Sequence, residues 1–154
     1  MARVLVVDDA LMVRKMIGKM LENDGHVVVD EAMDGKQAIE MYQRHMPDII
    51  TLDITMPGMD GIEALTRIME YDKEAKVIMV SALGQQHKVL EALEQGAKSY
   101  ILKPVTAPKL LAVINRILDS GHTGGAAKPL FEYGEGRHQE SCDHILSSKK
   151  ESLI

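Results

Sequence analysis

The polar residues able to do chemistry fall at four places, each directly after a short apolar run. Asp8 and Asp9 follow Val4 to Val7, and Asp53 follows Ile49 to Leu52. Ser81 follows Val77 to Val80, and Lys103 follows Tyr100 to Leu102. Three carboxylates gathered in a small space repel one another and raise each other's pKa unless a cation offsets them. The simplest such cation is Mg²⁺, a hard ion that takes oxygen ligands and keeps several waters. Lys103 adds a point charge that can grip a phosphoryl oxygen, and the Ser81 hydroxyl can hydrogen-bond another. The set suits a transferable anion held beside Mg²⁺, with one carboxylate available as nucleophile. Taken singly, each residue has a plainer reading. Asp8 and Asp9 could be a loop with a helix cap, Asp53 a turn residue, Ser81 an N-cap, and Lys103 before Pro104 a solvated charge. Their occurrence at the same edge of one predicted sheet favours the chemical reading.

The elements that must position them are legible in the hydropathy pattern. Five apolar runs, from Val4, Val27, Ile49, Val77 and Tyr100, are short and mostly β-branched, as buried strands are. Between them the period becomes helical. Val13, Met16, Ile17, Met20 and Leu21 recur at i, i+3, i+4, i+7 and i+8, as do Leu110, Leu111, Ile114, Ile117 and Leu118 near the end. Gly25 and Gly96 stand where helix C-caps are expected, and Asp34 with Gln37 resembles a capping box. Strand and helix alternate five times, which predicts an α/β fold: a doubly wound five-stranded parallel sheet with five helices. We take its order as 2-1-3-4-5, the flavodoxin-like order. That order is adopted from known doubly wound sheets, because nothing local in these residues says which strands pair. It makes the first and third strands neighbours, so that Asp8, Asp9 and Asp53 converge at the carboxyl ends of the strands.

Composition excludes several other classes. With 18 Lys and Arg against 23 Asp and Glu the net charge is −5, so no basic field holds a nucleic-acid backbone. Aromatic residues are 3% of the chain, too few for a base-stacking platform. The single Cys142 excludes an intrachain disulfide and a Cys-rich zinc site. No apolar run approaches the ~18 residues that span a membrane, and Val4 to Val7, closed by acids, is too short for a signal-peptide core. A cytoplasmic protein is expected. Residues 120–154 hold several glycines and mixed charges with too few apolar residues for a core, so a disordered C-terminal tail is expected after a domain at 1–119. Within it His138, Cys142 and His144 lack a convincing fourth metal ligand.

Four segments carry a resemblance. They are Val6-Val7-Asp8-Asp9-Ala10, Asp53-Ile54-Thr55-Met56-Pro57-Gly58-Met59-Asp60-Gly61, Val80-Ser81-Ala82, and Gly96-Ala97-Lys98-Ser99-Tyr100-Ile101-Leu102-Lys103-Pro104. Over residues 2 to about 119 the chain resembles a response-regulator receiver domain of two-component signalling. Within that family, Ser81 to Gln86 and the Asp53 to Pro57 segment are most similar to stand-alone chemotaxis receivers of the CheY type. The resemblance implies that Asp53 accepts phosphate from a histidine kinase. It implies that Asp9, Asp53 and the backbone carbonyl of Thr55 bind Mg²⁺ directly and Asp8 through water. Ser81 and Lys103 would contact the phosphoryl group, and Tyr100 would turn inward as an aromatic switch when Ser81 moves. The Lys103–Pro104 bond would match the family's cis peptide.

The implied function is a phosphorylation-activated switch rather than an enzyme. Its kinase would be CheA-like, and its partner a flagellar motor switch protein or another downstream protein. Lys98 and Ser99 replace the acidic residues common in receivers that dimerise through the fourth helix, fifth strand and fifth helix, so a monomer is expected. A receiver of another phosphorelay, in sporulation or transcription and without an output domain, is the alternative. A phosphatase of the haloacid dehalogenase type also uses a strand-end Asp with Mg²⁺. It needs a general acid two residues on, where this chain has Thr55.

Overall fold

Strands buried on both faces need no polar alternation, and each apolar run of the sequence forms one. The computed structural model describes residues 1–123. Its elements are β1 (Arg3–Val7), α1 (Leu11–Asn23), β2 (Val27–Ala32), α2 (Gly35–His45), β3 (Ile49–Asp53), α3 (Gly61–Tyr71), β4 (Val77–Ser81), α4 (Gln86–Glu94), β5 (Ser99–Leu102) and α5 (Ala107–Thr123). The strands form one parallel sheet in the order β2-β1-β3-β4-β5. The fold class and strand order are therefore those expected. The helix α5 runs through residue 119 to Thr123. The remainder of the expected tail, with His138, Cys142 and His144, lies outside the described residues.

Two hydrophobic layers hold the sheet. Leu5, Val7, Ile50, Leu52 and Met79 pack towards α2, α3 and α4, with Tyr42, Leu65, Ile68 and Val89. Val4, Val6, Ile49, Ile78 and Val80 pack towards α1 and α5, with Ile17, Leu21, Leu110 and Ile114. Neighbouring residues of one strand thus serve opposite layers. Burying each such Val, Leu or Ile contributes roughly 1.5–3 kcal/mol. The stripe on α1 is narrower than its spacing predicts. Ile17 and Leu21 are buried, whereas Met16 is 42% exposed at the margin of the face.

Helix ends follow local chemistry. The Asp34 carboxylate accepts from the Gln37 N–H at 2.8 Å, and the Asp60 carboxylate accepts from the Glu63 N–H at 2.9 Å. Each N-cap of this kind is worth about 1 kcal/mol. The expected capping box is offset by one residue: the Gln37 side chain accepts from the N–H of Met33, not of Asp34. Gly25 and Gly96 follow the last residues of α1 and α4 with φ of +84° and +116°, a conformation that favours glycine.

Gly61 is required for a different reason. It opens α3 against the end of β3, where its N–H donates to the Ile54 carbonyl at 2.8 Å. A Cβ there would sit 2.2 Å from the Asp53 carbonyl oxygen and 2.7 Å from the Ile54 Cα, both backbone atoms that cannot swing away. Gly18, inside α1, would meet only a Val28 methyl at 3.7 Å. The two glycines should therefore respond oppositely to alanine. Gly61→Ala is expected to lower stability by about 2–3 kcal/mol through overpacking. Gly18→Ala is expected to raise it by about 0.5–1 kcal/mol through helix propensity. Urea midpoints of the two variants against the parent check both signs.

Candidate functional site

The site arises where the direction of winding reverses. β2 lies on one side of β1 and β3 on the other. α1 leaves β1 towards the layer it shares with α5, and α3 leaves β3 towards the opposite layer. The two loops diverge and leave a crevice at the carboxyl edge of the sheet. Val7 is level with both Ala32 and Leu52, so Asp8 and Asp53 emerge at the same height. Val80 stands opposite Asp53, which sets Ser81 one residue further along β4.

Asp8, Asp9 and Asp53 each bring a carboxylate oxygen into a group whose members lie within 4.8 Å of one another. Asp8 and Asp53 are buried and Asp9 is exposed. The Lys103 Nζ lies 3.1 Å from Asp8 Oδ2 and 3.3 Å from Asp53 Oδ2. Burial, and then the charge of Asp8, push the Asp53 carboxyl up to about 6, against the opposing pull of Lys103 and the Thr55 N–H. For Lys103 burial disfavours the charge, but the two carboxylates outweigh it and hold its pKa above the ordinary lysine value.

The acidic loop is braced from several directions. The Asp8 Oδ1 accepts from the Ala10 N–H at 2.9 Å, and the Asp8 N–H donates to the Ala32 carbonyl at 3.1 Å. The Arg14 guanidinium donates from Nη1 to the Asp8 carbonyl at 2.7 Å, while its Nε pairs with Glu31 on β2 at 3.1 Å. Lys15 also reaches Glu31, at 2.7 Å. Nothing in the motif spacing announced Arg14; its position in the first turn of α1, over the acidic pair, is the only signal the sequence holds.

Of the other predicted residues, Thr55 donates its N–H to Asp53 Oδ1 at 3.2 Å and is otherwise exposed. Ser81 is buried at the end of β4, and its carbonyl accepts from the Lys103 N–H at 2.7 Å. The Lys103–Pro104 peptide is cis. The Tyr100 ring is buried in the layer formed with α2, α3 and α4, while Ile101 serves the other layer. Sequence reasoning missed Gln85, whose carboxamide spans two loops of the site. Its Nε2 donates to Thr55 Oγ1 at 2.6 Å, and its Oε1 accepts from the Ala82 N–H at 2.8 Å.

The donor set suits a hard divalent cation. It is all oxygen, and Asp8 Oδ2 is buried with an ion-pair partner but no hydrogen-bond donor in good geometry. Such an oxygen retains unused acceptor capacity in a site that already carries excess negative charge.

The chain is similar to known proteins over most of its described length. Residues 4–115 match the response regulator receiver domain family. The chain is 50% identical over 117 residues to the chemotaxis protein CheY of Bacillus subtilis, spanning 76% of this chain and 98% of the relative. A Borrelia burgdorferi crystal structure of a CheX–CheY–BeF3–Mg²⁺ complex superposes with a TM-score of 0.73 at 43% identity, over 75% of this chain and 88% of that one. A LuxR-family response regulator from Aurantimonas superposes with a TM-score of 0.76 at 29% identity, over 97% of each chain. No helix among the described residues is long and apolar enough to cross a membrane. The converging carboxylates, the lysine that joins two of them and the 2-1-3-4-5 sheet thus stand in a chain that belongs to the response regulator receiver domain family, with CheY chemotaxis proteins among its relatives.

Proposed function

We propose that the protein is a phosphorylation-activated response regulator in which Asp53 receives a phosphoryl group from the phosphohistidine of a CheA-like histidine kinase. The observation that carries this reading is the Lys103 ammonium set within 3.3 Å of both Asp8 and Asp53, beside a third carboxylate. Asp9, Asp53 and the Thr55 carbonyl would hold Mg²⁺ directly and Asp8 through water. When bound, the ion offsets the carboxylates and screens the charge of the incoming phosphoryl group.

The chain's own groups do the rest. An Asp53 carboxylate oxygen attacks phosphorus in line with the departing imidazole, which leaves with the electron pair of the broken P–N bond. Lys103 is already at the reacting carboxylate and transfers its ion pair to a phosphoryl oxygen. Ser81 lies at the end of the adjacent strand, and its hydroxyl donates to another phosphoryl oxygen. Moving Ser81 towards the phosphoryl group makes room beside it, and Tyr100 turns into that room. The altered face of α4, β5 and α5 then binds the output partner, a flagellar motor switch protein. The 50% identity to a chemotaxis CheY that the chain spans almost completely favours chemotaxis over another phosphorelay. Such a protein is a phosphoacceptor signalling protein of the cytoplasm, with no turnover beyond its own phosphorylation and dephosphorylation.

With acetyl phosphate and Mg²⁺ the protein should gain the mass of one phosphoryl group, and Asp53→Asn should not. Equal labelling of the two would overturn the assignment of Asp53.

Asp8 and Asp9 should differ in Mg²⁺ titrations. Both Asp8 oxygens already face protein partners, Ala10 and Lys103, whereas Asp9 is exposed. Asp9→Ala is expected to weaken Mg²⁺ binding more than Asp8→Ala; equal losses, or a larger one for Asp8→Ala, would contradict the direct role of Asp9.

The raised Asp53 pKa also sets a stability profile. A carboxyl that moves from 3.8 to about 6 on folding holds its proton more tightly in the folded state. Its cost to the fold is absent below about pH 4, grows as pH rises towards 6 and is complete above that. In buffer with chelator, Asp53→Asn should therefore exceed the parent in stability at pH 7.5 by on the order of 1–3 kcal/mol. That advantage should shrink as pH falls through 6 towards 4. Urea unfolding at a series of pH values measures it, and a gap independent of pH would contradict the cause assigned here.

A further inference from the structure

The Gln85 carboxamide has an orientation fixed by chemistry. A backbone N–H can only donate, so the atom facing Ala82 at 2.8 Å must be the oxygen, Oε1. The nitrogen is then left to donate to Thr55 Oγ1 at 2.6 Å. One side chain thereby joins the β3–α3 loop to the β4–α4 loop. The first anchor lies two residues after Asp53, on a residue whose N–H already donates to that carboxylate. The second anchor is the residue next to Ser81. Asp53 is buried, whereas Thr55 and Ala82 are exposed, so the bridge crosses the solvent side of the crevice.

Resting on the reading that Asp53 is phosphorylated, we propose that Gln85 is a positioning residue that clasps these two loops and slows hydrolysis of the aspartyl phosphate. In that reaction the oxygen of a water bonds to phosphorus as the bond from phosphorus to the Asp53 carboxyl oxygen breaks. The carboxylate departs with the electron pair, and the water's protons pass to the released phosphate and the solvent. The water must approach in line with the breaking bond. The clasp opposes that approach in two ways. It keeps the β3–α3 and β4–α4 loops from parting. It also occupies a lone pair of the exposed Thr55 hydroxyl, which could otherwise accept a hydrogen bond from an arriving water. Gln85 touches neither the carboxylate nor the lysine, and acts through Thr55.

The test is a double-mutant cycle on the full chain. Gln85→Leu keeps the bulk and removes both hydrogen bonds. Thr55→Val keeps the shape and removes the acceptor. Each protein is labelled with acetyl phosphate and Mg²⁺, the donor is removed, and loss of phosphate is followed with time. Losing a hydrogen bond of ordinary strength predicts decay about three- to tenfold faster in Gln85→Leu. In the Thr55→Val background the same change should alter decay by less than twofold, because the clasp is already broken. Gln85→Leu should keep the parent's Mg²⁺ affinity and lose at most the modest stability of two solvent-side hydrogen bonds, whereas a general loosening of the site would weaken Mg²⁺ binding as well. An unchanged decay in Gln85→Leu, or effects of the two changes that simply multiply, overturns the clasp while leaving phosphorylation of Asp53 intact. A parent that takes no label overturns both.

Discussion

Two carboxylates almost wholly out of water, Asp8 and Asp53, share a single ammonium, and the rest of the molecule is arranged so that they can. A buried carboxylate is costly, and a second beside it raises the cost. Lys103 relieves part of the repulsion but not all, since Asp53 still titrates near 6. On the function proposed above, the remaining imbalance is what would draw a cation to the site. A fully neutralised cluster would have no such affinity, and a cluster without Lys103 would carry a still larger burial penalty. The site is thus held partly unsatisfied, in a position that only a well-packed scaffold tolerates.

That scaffold contributes through rigid placement. The parallel register puts Asp8 and Asp53 level, and the reversal of winding at β1 carries the following helices to opposite layers. Close approach at Gly61 seats the start of α3 on the backbone of Asp53 and Ile54, so the Asp53 main chain has little room to shift. Arg14 does comparable work for the other acidic loop, linking its Asp8 carbonyl to Glu31 on the neighbouring strand. Lys103 arrives from the far side of the sheet, held by the bond from its N–H to the Ser81 carbonyl. Four segments distant in sequence are therefore fixed to one another by backbone hydrogen bonds and the Arg14 side chain.

Ser81 and Tyr100 stand on the paired strands β4 and β5, near their carboxyl ends. Ser81 lies at the crevice and Tyr100 in the layer behind it, two residues from the end of β5. On the function proposed above, a phosphoryl group would recruit the first and vacate space for the second, so that the chemical event and the altered surface would share one pair of strands. Gln85 stands in the loop that follows Ser81 and is tied to the loop that follows Asp53.

The primary sequence determined a good deal of this. Strands 1 to 5 follow from apolar runs, because a strand buried on both faces is written as a local string of β-branched residues. The α2 cap at Asp34 and the turns at Gly25 and Gly96 follow from neighbours along the chain. Asp8, Asp9, Asp53, Ser81 and Lys103 were legible because each directly ends such a run. The strand order was borrowed from known folds, since nothing local says which strands pair. Tertiary structure alone decided that Lys103 reaches both Asp8 and Asp53, that Met16 stands outside the core face, and that Tyr100 lies in the layer with α2, α3 and α4. It alone brought Gln85 to Thr55, thirty residues away, and Arg14 to Glu31 across the edge of the sheet. Side chains of this kind have no periodicity to reveal them. Their partners are chosen by the distance between loops, which exists only once the two layers have closed on the sheet.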